Sequence, residues 1–241
     1  MRNQNNDYSD LLEVQARIPA GDAVLDGDLM IPRGARGIAL FAHGSGSSRH
    51  SPRNMSVARV IREAGVGTLL FDLLTREEES VDVFTRHLRF DVDLLTARLI
   101  EATNWVAGQG VTRDLRIGYF GSSTGAAAAL MAAAGLGERI GAVVSRGGRP
   151  DLAGGVAALV KAPTLLIVGE RDDHVVELNQ EAYARLRCEK EMRIIPGATH
   201  LFEEPGALEQ VADFAAQWFR DHLQSQTPQY KSAGGGNFGW R

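Results

Sequence analysis

The sequence predicts an α/β protein built on one doubly wound, mostly parallel central sheet. The sheet starts with antiparallel strands and carries helices on both faces. Three observations lead there. Short apolar runs recur without polar alternation, as in strands covered on both sides. Helix-like segments separate these runs, so strand and helix alternate along the chain. The N-terminal part instead alternates apolar and polar residues, the pattern of a half-buried hairpin.

In "LLEVQARI", Leu12, Val14, Ala16 and Ile18 share one strand face, and "AVLDGDLMIP" follows after a Gly-Asp turn, so the two should pair. The buried strands are then expected at "GIALFA" (37–42), "VGTLLFD" (66–72), "RIGYFG" (116–121), "IGAVVS" (140–145), "TLLIVG" (164–169) and "MRIIPG" (192–197). Leu95, Leu99, Ala102 and Val106 fall on one face of a helix over 91–107, with Gly108 as its stop. The stretch 124–134 is almost entirely alanine and leucine, apolar all round, and so a buried helix. Val211, Phe214, Ala215, Trp218 and Phe219 form the stripe of a last helix over 206–223. Only 18 residues join the strands at 140–145 and 164–169, room for one short helix and no cap domain.

The chain has 241 residues, which suits one domain, expected over 1–224, followed by a flexible, Gly-rich tail over 225–241. Its net charge of -4 argues against a general nucleic-acid partner. No apolar run approaches the ~18 residues of a membrane span. The N-terminus is polar, and the single thiol, Cys188, cannot form an internal disulfide, so a cytoplasmic protein is expected.

Chemistry concentrates at "GSSTG" (121–125), which fits G-x-S-x-G with Ser123 at its centre. A serine on a sharp strand-to-helix turn points its hydroxyl outward, and the turn closes only if the residues two before and two after lack side chains. Gly121 and Gly125 supply that pair around Ser123, whereas Phe120 and Thr124 flank Ser122 at the same distances. A serine nucleophile needs a base, and the base an orienting acid. Asp172 follows the strand at 164–169, with Asp173 as its direct competitor, and His200 lies in the loop after the next strand. His174 is too close to the acid to occupy a separate loop, and His222 should lie on the exposed end of the last helix. The candidate catalytic residues are therefore Ser123, Asp172 and His200, all beyond the C-terminal ends of parallel strands, where open α/β sheets build their sites. The Thr124 amide follows the nucleophile, and the Ser45 amide lies in the glycine-containing loop "AHGSGSSRHSPRN"; these are the two expected oxyanion donors. His43 is expected to brace that loop.

Arg49 and Arg146 are candidate substrate-binding residues, since arginine forks grip carboxylate or phosphate. The blander reading pairs the loop arginines with Asp151 and the "REEES" run. A dinucleotide-binding reading of "HGSGSSR" needs glycine where Arg49 stands, and Asp72 lies 28 residues past Gly44 rather than about 20. A non-catalytic ligand-binding protein of the same fold is the remaining rival.

With these motifs in place, the chain resembles the α/β-hydrolase superfamily, in its dienelactone-hydrolase-like branch. "AHGSGSSRHSPRN", "GSSTGAAAAL", "LLIVGERDDHVV" and "PGATHLFEEPG" look like segments of hydrolase domains that are sometimes fused to phosphoribosyltransferases. The resemblance covers most of residues 11–224 and implies the α/β-hydrolase fold, a serine triad and no cofactor. True dienelactone hydrolases carry cysteine at the elbow. Serine there makes cleavage of small ester substrates the natural expectation, with dienelactones or other anionic esters as the alternative.

Overall fold

The computed structural model describes residues 11–223, so the tail expected at 225–241 lies outside the described residues. One eight-stranded sheet organises them. Its strands are β1 (Leu11–Ala20), β2 (Ala23–Pro32), β3 (Gly37–Ala42), β4 (Gly67–Phe71), β5 (Arg116–Ser122), β6 (Ile140–Arg146), β7 (Thr164–Gly169) and β8 (Lys190–Ile195), in spatial order β1-β2-β4-β3-β5-β6-β7-β8. β1 and β2 form the expected hairpin across Gly21 and Asp22, and β2 also runs antiparallel to β4; every other pairing is parallel. Every residue of β3, β4, β6 and β7 is buried, which accounts for their largely apolar sequences.

The helices are α1 (Pro52–Glu63), α2 (Arg76–Thr85), α3 (Val92–Gly108), α4 (Thr124–Leu136), α5 (Asp173–Arg185) and α6 (Ala207–Leu223). One face of the sheet packs on α1 and α6 through Val57, Ile61, Val211, Ala215 and Phe219. The other packs on α3 and α4 through Leu95, Leu99, Val106 and the alanines of α4. Nine residues of α4 are buried, as its uniform apolarity demands. Between β6 and β7 runs only the 3₁₀ segment Pro150–Leu159, kinked at Gly154, so no cap domain is inserted there. Among the described residues no helix is long and apolar enough to cross a membrane.

Two local features are seen only in the structure. "REEES" opens α2, where Thr75 and Glu78 form a reciprocal capping box. Cys188 lies in the bend after α5, which already ends at Arg185.

Candidate active site

Five adjacent strands end in one row: Ala42 of β3 lies beside Gly121 of β5, Ser122 beside Arg146 of β6, Arg146 beside Ile167 of β7, and Gly169 beside Ile195 of β8. Whatever follows these ends is brought together at the same edge. Ser123 follows β5 with φ 50° and ψ -120°, a conformation that side-chain-bearing residues rarely adopt. The turn is over-determined by its neighbours. The Ser123 N–H donates to Arg146 O at 3.2 Å, and Ser123 O accepts from the N–H groups of Ala126 at 3.1 Å and Arg149 at 3.2 Å.

The flanking glycines act by close approach. A Cβ on Gly121 would lie 2.8 Å from the Ala126 nitrogen and from Gly125 O. One on Gly125 would lie 2.5 Å from His43 O and closer still to Ala42 O, so the elbow packs backbone against backbone on the loop after β3. A Cβ on Gly44 would meet both Ser122 O and Ser123 Cβ at 3.1 Å, which puts that loop directly over the serine.

His43 braces the loop as expected. Its Nδ1–H donates to Gly44 O at 3.0 Å, and its Nε2 accepts the Leu73 N–H at 3.0 Å. Both bonds suit a neutral ring, and burial holds its pKa below the ordinary value. The Ser45 N–H donates to the Thr124 hydroxyl oxygen at 3.0 Å, while Thr124 itself opens α4.

Asp172 follows β7 and His200 follows β8. His200 Nδ1 lies 2.6 Å from Asp172 Oδ2, close enough to donate its proton in a strong hydrogen bond. Asp173 is the first residue of α5 and His222 binds Trp218 O, so neither rival takes these places. Backbone bonds join the two loops: the Glu170 N–H donates to Ile195 O at 3.0 Å and the Arg171 N–H to Ala198 O at 2.9 Å. The His200 ring rests on Gly147 (φ 50°), where a Cβ would stand 3.4 Å from its Cε1 and Nδ1. The ring thus abuts the strand end whose carbonyl holds the Ser123 N–H.

Three features of the site escaped the sequence. Thr124 uses its side chain as well as its backbone. Asn179 of α5, fully buried, donates to Gly148 O at 2.9 Å and so fixes the segment under His200. Phe202 closes the histidine loop with φ 56°, buried in the core. Only the glycine pair in "SRGGRPD" signals any of this, by marking a segment that other backbone must approach.

The arginines divide. Arg49 binds Asp72 through its side chain and its backbone N–H, and its Nε lies 3.4 Å from Asp28, so its charge is met inside the protein. Arg149 pairs with Asp151 at 2.7 Å, and Arg53 with Glu203 at 2.9 Å. Arg146 is 9 % exposed and has no carboxylate or hydrogen-bond partner among the described residues; its guanidinium carbon stands 5.9 Å from the Phe120 ring centre. Burial, reinforced by Arg53, pushes its pKa down to about 10, so it stays charged at neutral pH. Among the described residues no cluster of three or more His, Cys, Asp or Glu is placed to hold a metal ion. Cavities of about 680 and 520 Å³ lie toward the β1–β2 side, and neither is lined by Ser123 or His200.

The model of the dienelactone hydrolase family matches residues 25–226. The chain belongs to that family. A solved dienelactone hydrolase from Anabaena variabilis is 55 % identical, with a TM-score of 0.88 over 89 % of this chain and all of that one. Est1E from Butyrivibrio proteoclasticus, 15 % identical, shares the fold with a TM-score of 0.74 over 88 % of this chain and 99 % of its own. The family supports hydrolase chemistry on esters. Among curated proteins, putative phosphoribosyl transferases from two strains of Mycobacterium tuberculosis are 55 % identical over 218 residues, 90 % of this chain and 48 % of theirs. The chain thus spans about half the length of those relatives.

Proposed function

We propose that the protein is a serine carboxylesterase that cleaves small esters through an acyl-enzyme. The observation that carries the reading is the His200–Asp172 hydrogen bond, on a ring that rests against Gly147, next to the Arg146 carbonyl that holds the N–H of Ser123 on its strained elbow. His200 takes the Ser123 proton as Oγ attacks the ester carbonyl. Asp172 keeps the imidazole in the tautomer whose Nε2 is free and stabilises the imidazolium. The Thr124 amide, at the N-terminus of α4, and the Ser45 side of the loop stabilise the oxyanion. His200 returns the proton to the leaving alkoxide. Water, deprotonated by the same histidine, then releases the acid and restores the serine. The mechanism uses no cofactor.

A fluorophosphonate probe tests the reading. Labelling of the wild type, and its loss in Ser123→Ala with turnover lowered on the order of 10⁴–10⁶-fold, is the expected result. Folded wild-type protein that neither labels nor hydrolyses p-nitrophenyl acetate would reject it and favour a ligand-binding role.

A second reading concerns substrate charge. Arg146 keeps a buried guanidinium without a counter-charge and beside a second arginine, an arrangement that an incoming carboxylate or phosphate would relieve. Arg49 has no such role, because Asp72 and Asp28 already bind it. If an anionic ester is the substrate, Arg146→Met should lower kcat/KM for carboxylate-bearing esters at least ~10-fold more than for neutral ones. Equal losses on both would dismiss the idea.

A further inference from the structure

The N–H of Ser45, expected to point at a substrate oxyanion, is already engaged by the Thr124 hydroxyl oxygen at 3.0 Å. That oxygen occupies an acceptor position on the Ser45 amide. Thr124 is 2 % exposed, and a β-branched side chain packed that tightly does not change rotamer freely. Its hydroxyl accepts one hydrogen bond, and among the described residues its own O–H has no acceptor. As the first residue of α4, Thr124 also has an amide N–H with no carbonyl partner inside the helix. The contact is next in the chain to the nucleophile on both sides: Ser45 follows Gly44, where a Cβ would meet Ser123 Cβ at 3.1 Å, and Thr124 follows Ser123.

We infer that Thr124 supplies two oxyanion donors, its backbone N–H and its hydroxyl, and that the Ser45 amide acts one step back. The chain runs from the Ser45 N–H to Thr124 Oγ1, and from the Thr124 O–H to the developing oxyanion. An amide donating into a hydroxyl polarises it and strengthens the bond the hydroxyl gives. A bond from O–H to an oxyanion is charge-assisted and stronger than one between neutral groups. No covalent bond changes at Thr124: its proton stays on Oγ1 throughout, and His200 alone carries a proton between atoms. The Ser45 amide alone could not be tested by a side-chain substitution, whereas this donor can be removed.

The inference rests on the serine-esterase reading, and the experiment keeps the two apart. Thr124→Val matches the shape and removes the hydroxyl; Thr124→Ala also removes it, with a smaller side chain, should the valine variant fail to fold; Thr124→Ser restores a hydroxyl. With p-nitrophenyl acetate, the hydroxyl-less variants are expected to lose on the order of 10²-fold in kcat and in the pre-steady-state acylation rate, with KM little changed. Inhibition by a trifluoromethyl ketone, which forms the oxyanion on Ser123, should weaken by a similar factor, and Thr124→Ser should recover most of both. A folded hydroxyl-less variant whose kcat stays within about threefold of wild type, or rises, overturns the inference and returns the Ser45 N–H to direct contact, while fluorophosphonate labelling leaves the esterase reading standing. Wild-type protein that neither labels nor turns over ends both.

Discussion

Gly125→Ala adds one methyl group where the elbow meets the loop after β3. The new Cβ would stand 2.5 Å from His43 O and nearer still to Ala42 O, against the 3.4 Å at which ordinary contact begins. Both atoms are backbone, so no side chain can swing aside. The loop must retreat by about 1 Å or more, which carries Gly44 and Ser45 away from Ser123 and stretches the Ser45–Thr124 bond from 3.0 Å. Overpacking of this kind destabilises by about 1–3 kcal/mol, and in a domain of this size each 1 kcal/mol lowers Tm by roughly 2–4 °C. The larger effect should fall on turnover, because a misplacement near 1 Å at a reacting centre can lower the rate about 10²-fold. Thermal unfolding and p-nitrophenyl acetate kinetics on the same preparation read both. Wild-type Tm together with wild-type kcat/KM would refute the claim that backbone contact holds the loop over the serine.

Asp72→Asn removes the carboxylate shared by the Arg49 guanidinium and backbone N–H. With only Asp28 left nearby, stability should fall by on the order of 3 kcal/mol in urea unfolding, and a midpoint unchanged from wild type would show that the pair contributes nothing. His43 gives a pH dependence. Its pKa is held below 6.5 by burial, so below that pH the unfolded chain takes up a proton that the native ring resists. Its contribution is therefore complete above pH 6.5 and declines as pH falls through the window beneath it. Urea midpoints at pH 7.5 and 5.5 should differ more for wild type than for His43→Gln, and equal differences would remove His43 as a cause.

Strands buried on both faces were legible because nothing polar interrupts them: 37–42 and 164–169 coincide with β3 and β7 to the residue. The last strand was read two residues late, since β8 begins with half-buried Lys190 and Glu191 at the sheet edge, where apolarity is not required. Helices α1, α2 and α5 carry few buried residues and left weaker patterns than α4. The elbow and the loops of Asp172 and His200 were legible because sharp turns dictate glycine and strand order dictates position. What could not be read were contacts between distant segments. Nothing in "SSTG" announces that Thr124 bonds Ser45, and nothing around Arg146 distinguishes it from Arg49 or Arg149, which found carboxylates.

The stitching of the Asp172 and His200 loops to one another bears on how the site is aligned. Backbone bonds from Glu170 and Arg171 reach the histidine loop, and Gly169 admits Ala198 O so closely that a Cβ there would stand 2.5 Å away. The loops of Asp172 and His200 are therefore joined by backbone bonds as well as by the side-chain bond between the two residues. The elbow is clasped separately, by the Arg146 carbonyl and the Arg149 N–H. Gly147 lies between them: it touches the imidazole, and its own N–H donates to Ile167 O at 2.8 Å. A side chain placed at Gly147 would press on the imidazole from the elbow side while the Asp172–His200 bond draws on other contacts, so a slowed variant can still display that bond undisturbed.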